Sequence, residues 1–298
     1  MSRLSEGLAA GRFVVTAEIG PPKGIHIEEM MADAELLRDK VDAVNVTDQQ
    51  SAVMRIGSLA VSRLLLERGI EPVLQMTCRD RNRIALQSDL LSAAVLGIEN
   101  VLCLTGDYVT LGDHPQAKPV FDLDSVSLLQ AASTLQRGED LAGKPLAGAP
   151  TFLLGATVTP GASPLEPQLR KMERKIKAGA QFFQTQAVYD SEGFARFMKV
   201  AGEFGVPVMA GIVLLKSAAM ARFMNKNVAG VHVPDHLIEE MDQAANKRQK
   251  SVEIAARLID EMADLCQGVH IMAIGWEKLV PQVIETSSLR SRVARAGQ

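Results

Sequence analysis

The 298-residue chain predicts an α/β fold, a single-domain (β/α)8 TIM barrel spanning residues 1–298. Three observations predict it: about eight short, β-rich apolar runs, a longer amphipathic stretch after each, and no polar, Pro/Ser-rich or acidic linker to separate two cores. The near-continuous hydrophobicity of the runs is what parallel strands buried on both faces require. A doubly wound open sheet satisfies the same alternation, because strand order is not written in a sequence.

The first run, Phe13–Glu18, is stopped by Gly20, Pro21 and Pro22, and it ends on a carboxylate. A buried charge without a partner is costly, so this acid needs a neighbour or a task. The next runs are Ala43–Thr47, Pro72–Thr77 and Val101–Gly106. Between them, "SAVMRIGSLAVSRLLLERG" and "NRIALQSDLLSAAVLG" return apolar residues every three or four positions and close on Gly, which predicts helices over 51–69 and 82–97. Tyr108–Asp124 reads as a long loop, a length that compact domains reserve for function or mobility. The runs Phe152–Val158, Phe182–Val188, Val208–Val213 and Val269–Ile274 complete the set, and Val228–Gln267 predicts two helices, "PDHLIEEMDQA" opening the first.

A formal net charge of -3 argues against a chain that neutralises many phosphates, so no nucleic-acid partner is expected. Cys78, Cys103 and Cys266 are odd in number and lack C-x-x-C spacing, which fits a reducing compartment and small core residues. "MSRLSEGLAAGRF" lacks the apolar region of a signal peptide, and no apolar run approaches the roughly 20 residues of a membrane span. The expected location is cytoplasmic, and a homo-oligomer is expected. Neither G-x-G-x-x-G nor a P-loop is present, no Ser or Cys sits in a nucleophile elbow, and Pro234 separates His232 from His236, so no metal site is predicted.

Barrels of this kind work at the C-terminal ends of their strands. That rule selects Glu18, Thr47 and Asp48, Gln75 and Thr77 with Arg79, Thr105 and Asp107, Thr157 and Thr159, and Gln184 and Gln186, the last two on one face by strand alternation. Two carboxylates, several amides and several hydroxyls around one cavity can protonate, orient and hold a polar heterocycle. Singly, Glu18 also reads as an acid turned to solvent and Asp107 as an Asx turn. "LRKMERKIKAGA" reads as a solvated basic helix face or as a phosphate clamp using Arg174 and Lys175.

Over almost its whole length the chain resembles the methylenetetrahydrofolate reductase family, flavoprotein barrels that make 5-methyltetrahydrofolate. The resemblance rests on "AEIGPPKG", "VTDQQS", "QMTCRDRN", "LTGD", "ERKIKAGAQFFQTQAVYD" and "AGI", in that order. It implies Glu18 as general acid, Asp107 as the aspartate beside pterin and flavin, and Gln186 as the folate-binding amide. It further implies Thr47, Gln75, Thr77, Thr105, Gly106, Asp107, Arg174 and Lys175 as cofactor-binding residues. The implied cofactor is FAD, with FMN as the alternative, and the implied electron donor is NAD(P)H or an iron–sulfur partner subunit. Protonation of folate N10 opens the methylene bridge, a task for a carboxyl group in a low-dielectric pocket, and a fixed anion then stabilises the developing cation. Hydride arrives from reduced flavin.

The chain departs from the family pattern at "EIGPP", which lacks the aromatic pair after the acid, and at Trp276, which stands where an Arg grips the folate tail. Two other readings compete: a non-redox pterin-binding barrel transferase, and a barrel subunit that docks an electron-transfer partner through "VLLKSAAMARFMNK" and the C-terminal helix.

Overall fold

A computed structural model describes residues 1–296. Eight parallel strands pair in sequence order and close into a barrel, which rules out the open sheet. They are β1 (Val14–Ile19), β2 (Ala43–Val46), β3 (Pro72–Thr77), β4 (Asn100–Leu104), β5 (Leu153–Val158), β6 (Phe182–Ala187), β7 (Val208–Val213) and β8 (Gly268–Met272). The seam is the pairing of β8 with β1, in which Val14 lies opposite Gly268 and Ala17 opposite Ile271.

Alternation along each strand sends one set of residues outward and the other into the barrel. Outward residues such as Val15, Val44, Leu74, Val101 and Phe183 join the apolar faces of the surrounding helices in one continuous core. Inward residues form layers. The lowest holds Val14, Ala43, Val73, Leu102, Phe182 and Met209. The helix Arg3–Ala9 closes this end with Leu4 and Leu8, although its sequence had announced only the absence of a signal peptide. Glu71 anchors the stopper by accepting the N–H groups of Arg3 at 2.6 Å and Leu4 at 3.0 Å, an anion on orphan donors of a helix start. Gly155 is required beside it, since a Cβ there would collide with the Phe182 ring that fills the barrel.

The segment expected as helix over 51–69 is helical only from Ser58 to Leu66. Gln49, Ser51 and Ala52 take left-handed backbone angles, and local polar bonds outbid the helix: the Gln49 amide accepts from Arg55 N–H at 2.7 Å and donates to its carbonyl at 3.1 Å. The stretch Tyr108–Asp124 is irregular apart from a 3-10 turn at Val109–Leu111. Asp113 ties it to the neighbouring loops through Lys23 and through the Met54 N–H at 3.1 Å. Lys23, His114 and that N–H hold the Asp113 carboxyl well below the usual range. Val228–Gln267 supplies the two expected helices, Asp235–Gln243 and Lys247–Met262. All three cysteines are buried, and burial pushes the Cys78 thiol up to about 12. Met224 of "VLLKSAAMARFMNK" is also buried, so of that segment's large apolar side chains Phe223 is the exposed one. No helix among the described residues is long and apolar enough to cross a membrane.

Candidate active site

A cavity of about 350 Å³ opens at the C-terminal ends of the strands. It brings together Glu18, Gln75, Thr77, Thr105, Gly106, Asp107, Lys175 and Gln186. Two expected residues are elsewhere. Thr47 is buried behind Gly20 and does not line the cavity, its Oγ1 lacking a partner. Arg174 is exposed on the helix Glu166–Lys177 and lies outside the lining, whereas Lys171 lies in it with Lys175. The helical repeat explains the exchange: residues four apart share a face, and Arg174 is rotated about 100° from Lys175. That spacing, read backwards from Lys175, would have found Lys171.

Glu18 stands at the end of β1 and is only 9% exposed. Gln75 on β3 donates to its Oε2 at 3.0 Å, and Gln50 to Oε1 at 3.3 Å. His270 on β8, which sequence reasoning missed, places Nε2 3.7 Å from the same Oε2. The other ring nitrogen of His270 lies 2.9 Å from Thr16 Oγ1, which accepts from Gln184 at 3.2 Å. Gln184 and Asn45 exchange amide bonds at 2.8 and 3.1 Å. Thr16, Asn45, Gln184 and His270 therefore form a buried polar layer under Glu18, each polar side chain finding a partner as burial demands. One inward-facing His in the last run was the available signal.

Asp107 is exposed at the mouth; its Oδ2 accepts Ser51 N–H at 3.1 Å, and Arg79 bonds its carbonyl at 3.3 Å. Gly106 precedes it with φ +94, and a Cβ there would lie 3.1 Å from Thr77 Cβ, so the turn needs glycine for conformation and for space. The Thr77 hydroxyl donates to Asp48 at 2.9 Å, and Arg81 pairs with the same carboxylate. This commits the Thr77 proton to the scaffold.

Lys175 is 4% exposed, and its ammonium donates to the Thr157 carbonyl at 2.6 Å. Burial, with Lys171 adding, pushes it down to about 8. A second cavity of about 450 Å³ adjoins the first and shares Glu18 and Gln50 with it. Its remaining wall includes Asp33, Glu29, Arg55, Gly275 and Glu277. Burial pushes Asp33 up, against Lys278 and with Glu277 and Glu29. Among the described residues no group of three or more His, Cys, Asp or Glu is placed to hold a metal.

A structure of an uncharacterized protein from Clostridium thermocellum, described as binding two copies of 5-methyl-5,6,7,8-tetrahydrofolic acid, superposes with TM-score 0.65 at 17% identity, covering 99% of this chain and 98% of that one. Oxaloacetate acetylhydrolase superposes with TM-score 0.53 at 14% identity, covering 98% of this chain and 85% of that one. At these identities the likeness concerns the barrel. In sequence, the chain is 26% identical to the 5,10-methylenetetrahydrofolate reductase of Pectobacterium carotovorum subsp. carotovorum, over 98% of this chain and 96% of that protein. It is 22% identical to a probable methylenetetrahydrofolate reductase (NADPH) of Caenorhabditis elegans over 74% of this chain, and that match spans only 33% of the nematode protein. The family model described as methylenetetrahydrofolate reductase matches residues 3–288, nearly the full barrel with its mouth, and the chain belongs to the methylenetetrahydrofolate reductase family.

Proposed function

We propose that this chain reduces 5,10-methylenetetrahydrofolate to 5-methyltetrahydrofolate with a bound flavin, Glu18 serving as general acid and Asp107 as the fixed anion. The observation that carries the reading is the setting of Glu18, a nearly buried carboxyl facing a cavity that also holds Asp107, Gln186 and two lysines. Family membership, and the structural neighbour described as binding 5-methyl-5,6,7,8-tetrahydrofolic acid, support a reduced folate as the ligand class.

The lysine corner tests whether a flavin fits. Lys175 is a buried cation with no ion pair among the described residues, and Lys171 lies one turn before it on the same cavity. Asp124 acts on both lysines only at a distance, so a phosphorylated cofactor brings the anion in contact that neither has, and two lysines suit the diphosphate of FAD better than the single phosphate of FMN. Lys171 and Lys175 would hold the phosphates, and Thr77, Thr105 and Gly106 would line the rest. When bound, the flavin supplies hydride to the one-carbon unit, having received it from NADH, NADPH or a protein donor.

The chain's own residues do the acid and binding work. Gln75 and His270 both face Glu18 Oε2, so Oε1, approached by Gln50 alone, is the oxygen that carries the proton to folate N10. Asp107, its Oδ2 fixed by the Ser51 N–H, sets negative charge beside the cation that forms as the bridge opens. Gln186, exposed at the mouth, offers the pterin one donor and one acceptor edge.

The two half-reactions test this. Under anaerobic conditions, methylenetetrahydrofolate reoxidises the reduced flavin and 5-methyltetrahydrofolate appears. Glu18→Gln slows that step by about 10²–10⁴-fold while reduction of the flavin persists. A preparation that neither contains nor takes up flavin overturns the reading in favour of a pterin-binding transferase. Equal loss of both half-reactions in Glu18→Gln makes the carboxyl structural.

A further inference from the structure

The second cavity, about 450 Å³, meets the first at Glu18 and Gln50. The residues assigned above to flavin and pterin, Asp107, Gln186 and the two lysines, line the first and not the second. Carboxylates dominate the second wall: Asp33 and Glu29 from the helix Glu28–Leu37, and Glu277 from the turn after β8. Such a wall repels an anionic cofactor and holds protons close, because neighbouring carboxylates resist ionising together. At roughly 30 Å³ per molecule, a polar cavity of this size has room for several waters.

Asp33 stands apart in this wall. Its side chain is only 14% exposed, and Oδ1 is buried with no hydrogen-bond partner, Lys278 Nζ standing 3.9 Å from it. A bare carboxylate oxygen in that setting is costly, whereas a protonated carboxyl can donate to a neighbouring water. Burial accordingly pushes Asp33 up, opposed by Lys278 and assisted by Glu277 and Glu29. Glu18, His26 and Arg55 are the other charged or titratable groups on the same cavity. The neighbouring helix Val280–Thr286 adds Glu285, which is paired with Lys40 at 3.3 Å.

In the proposed reduction N10 keeps the proton it receives and the one-carbon unit takes a hydride. Glu18 therefore ends each turnover ionised, and one proton must enter from solvent. We propose that Asp33 and the water of the second cavity return that proton: the Asp33 carboxyl passes its proton through water to the Glu18 carboxylate and takes another from the rim. No electrons move; one O–H bond breaks at Asp33 and one forms at Glu18. Gln50, the partner of Glu18 Oε1, lines both cavities, so the oxygen assigned to N10 lies beside their junction. Asp33 acts through Glu18, and this role rests on the reductase reading.

Magnitudes decide where the relay matters. With an encounter constant of about 10¹⁰ M⁻¹ s⁻¹, hydronium meets a carboxylate about 10⁴ times per second at pH 6 and about ten times at pH 9, near a typical turnover. The test is therefore flavin reoxidation by 5,10-methylenetetrahydrofolate, followed anaerobically from pH 6 to pH 9 in weak buffer. At pH 6 Asp33→Asn stays within twofold of the parent; at pH 9 it is at least fivefold slower. Ammonium chloride, a small acid drawn to the acidic cavity, restores the rate where sodium chloride does not, and Asp33→Glu behaves as the parent. Infrared titration of the flavin-free protein finds one carboxyl that keeps its proton above the usual range and is missing from Asp33→Asn. Lys278→Met, a substitution at an exposed residue, moves that carboxyl and the alkaline limb of the rate to higher pH together, which keeps the test open if Asp33→Asn does not fold. A loss by the same factor at every pH, an alkaline loss that ammonium leaves unrepaired, or an alkaline limb indifferent to both substitutions overturns the proposal. The parent's rate at pH 6 judges the reductase reading separately.

Discussion

Lys175 holds its charge where the surroundings resist it, and the sign of that cost can be worked out. Burial, with Lys171 adding, depresses it from the ordinary 10.5 to about 8. Between these values the unfolded chain binds the proton and the folded chain does not. This group's penalty on the fold is thus complete below about pH 8 and is relieved as the pH climbs towards 10.5. At neutral pH the flavin-free Lys175→Met variant is expected to be more stable than the parent, by on the order of 3 kcal/mol from the shift alone. Denaturant titration at pH 7 and at pH 10 checks it, the gain shrinking at the higher value. On the proposed flavin site, the same variant is expected to bind flavin more weakly, and the parent's affinity to fall as pH rises through about 8, because the neutral amine no longer attracts phosphate. Lys171, one turn away, was hidden in the sequence because "LRKMERKIKAGA" offers several basic residues and only the helix face distinguishes them.

Strands were the legible elements, for a physical reason: each is buried on both faces, so it reads as a mostly apolar β-rich run, interrupted only by inward polar residues such as Asn45 and Gln184, and turn residues mark its end. The run Val208–Val213 coincides with β7, and Pro72–Thr77 with β3. The mouth residues followed from those ends, which is why Glu18, Gln75 and Asp107 could be named before any coordinates. Loops were less legible. The left-handed turn at Gln49–Ala52 is set by Asp107, Asp113 and Arg55, partners distant in sequence or specific to the turn, and periodicity is blind to them. The long loop ends in a sharp local device. Asp124 accepts the N–H groups of Val126 at 3.0 Å and Ser127 at 2.8 Å, and Ser127 Oγ accepts the Asp124 N–H at 2.8 Å, a reciprocal box that starts the helix Ser125–Gln136. Asp124→Ala is expected to lose about 1 kcal/mol in chemical denaturation.

Closure makes the barrel one cooperative object, and the seam is where that can be tested. Gly268 is paired with Val14, and a Cβ on it would strike the Val14 carbonyl oxygen, a backbone atom that cannot move without opening the pairing of β8 with β1. Gly268→Ala is expected to cost about 1–3 kcal/mol, with a single unfolding transition shared by circular dichroism and fluorescence. A separate early transition would mean that the ends of the sheet melt independently. The molecule is also asymmetric along the barrel axis. Beneath Glu18 the layer of Thr16, Asn45, Gln184 and His270 leads down to packed hydrocarbon and then to the stopper helix carrying Leu4 and Leu8. That column is a cul-de-sac for water. On the proposed reading, a Glu18 carboxyl that has protonated a folate is recharged from the rim, by way of the two cavities that share it, and not from the sealed floor.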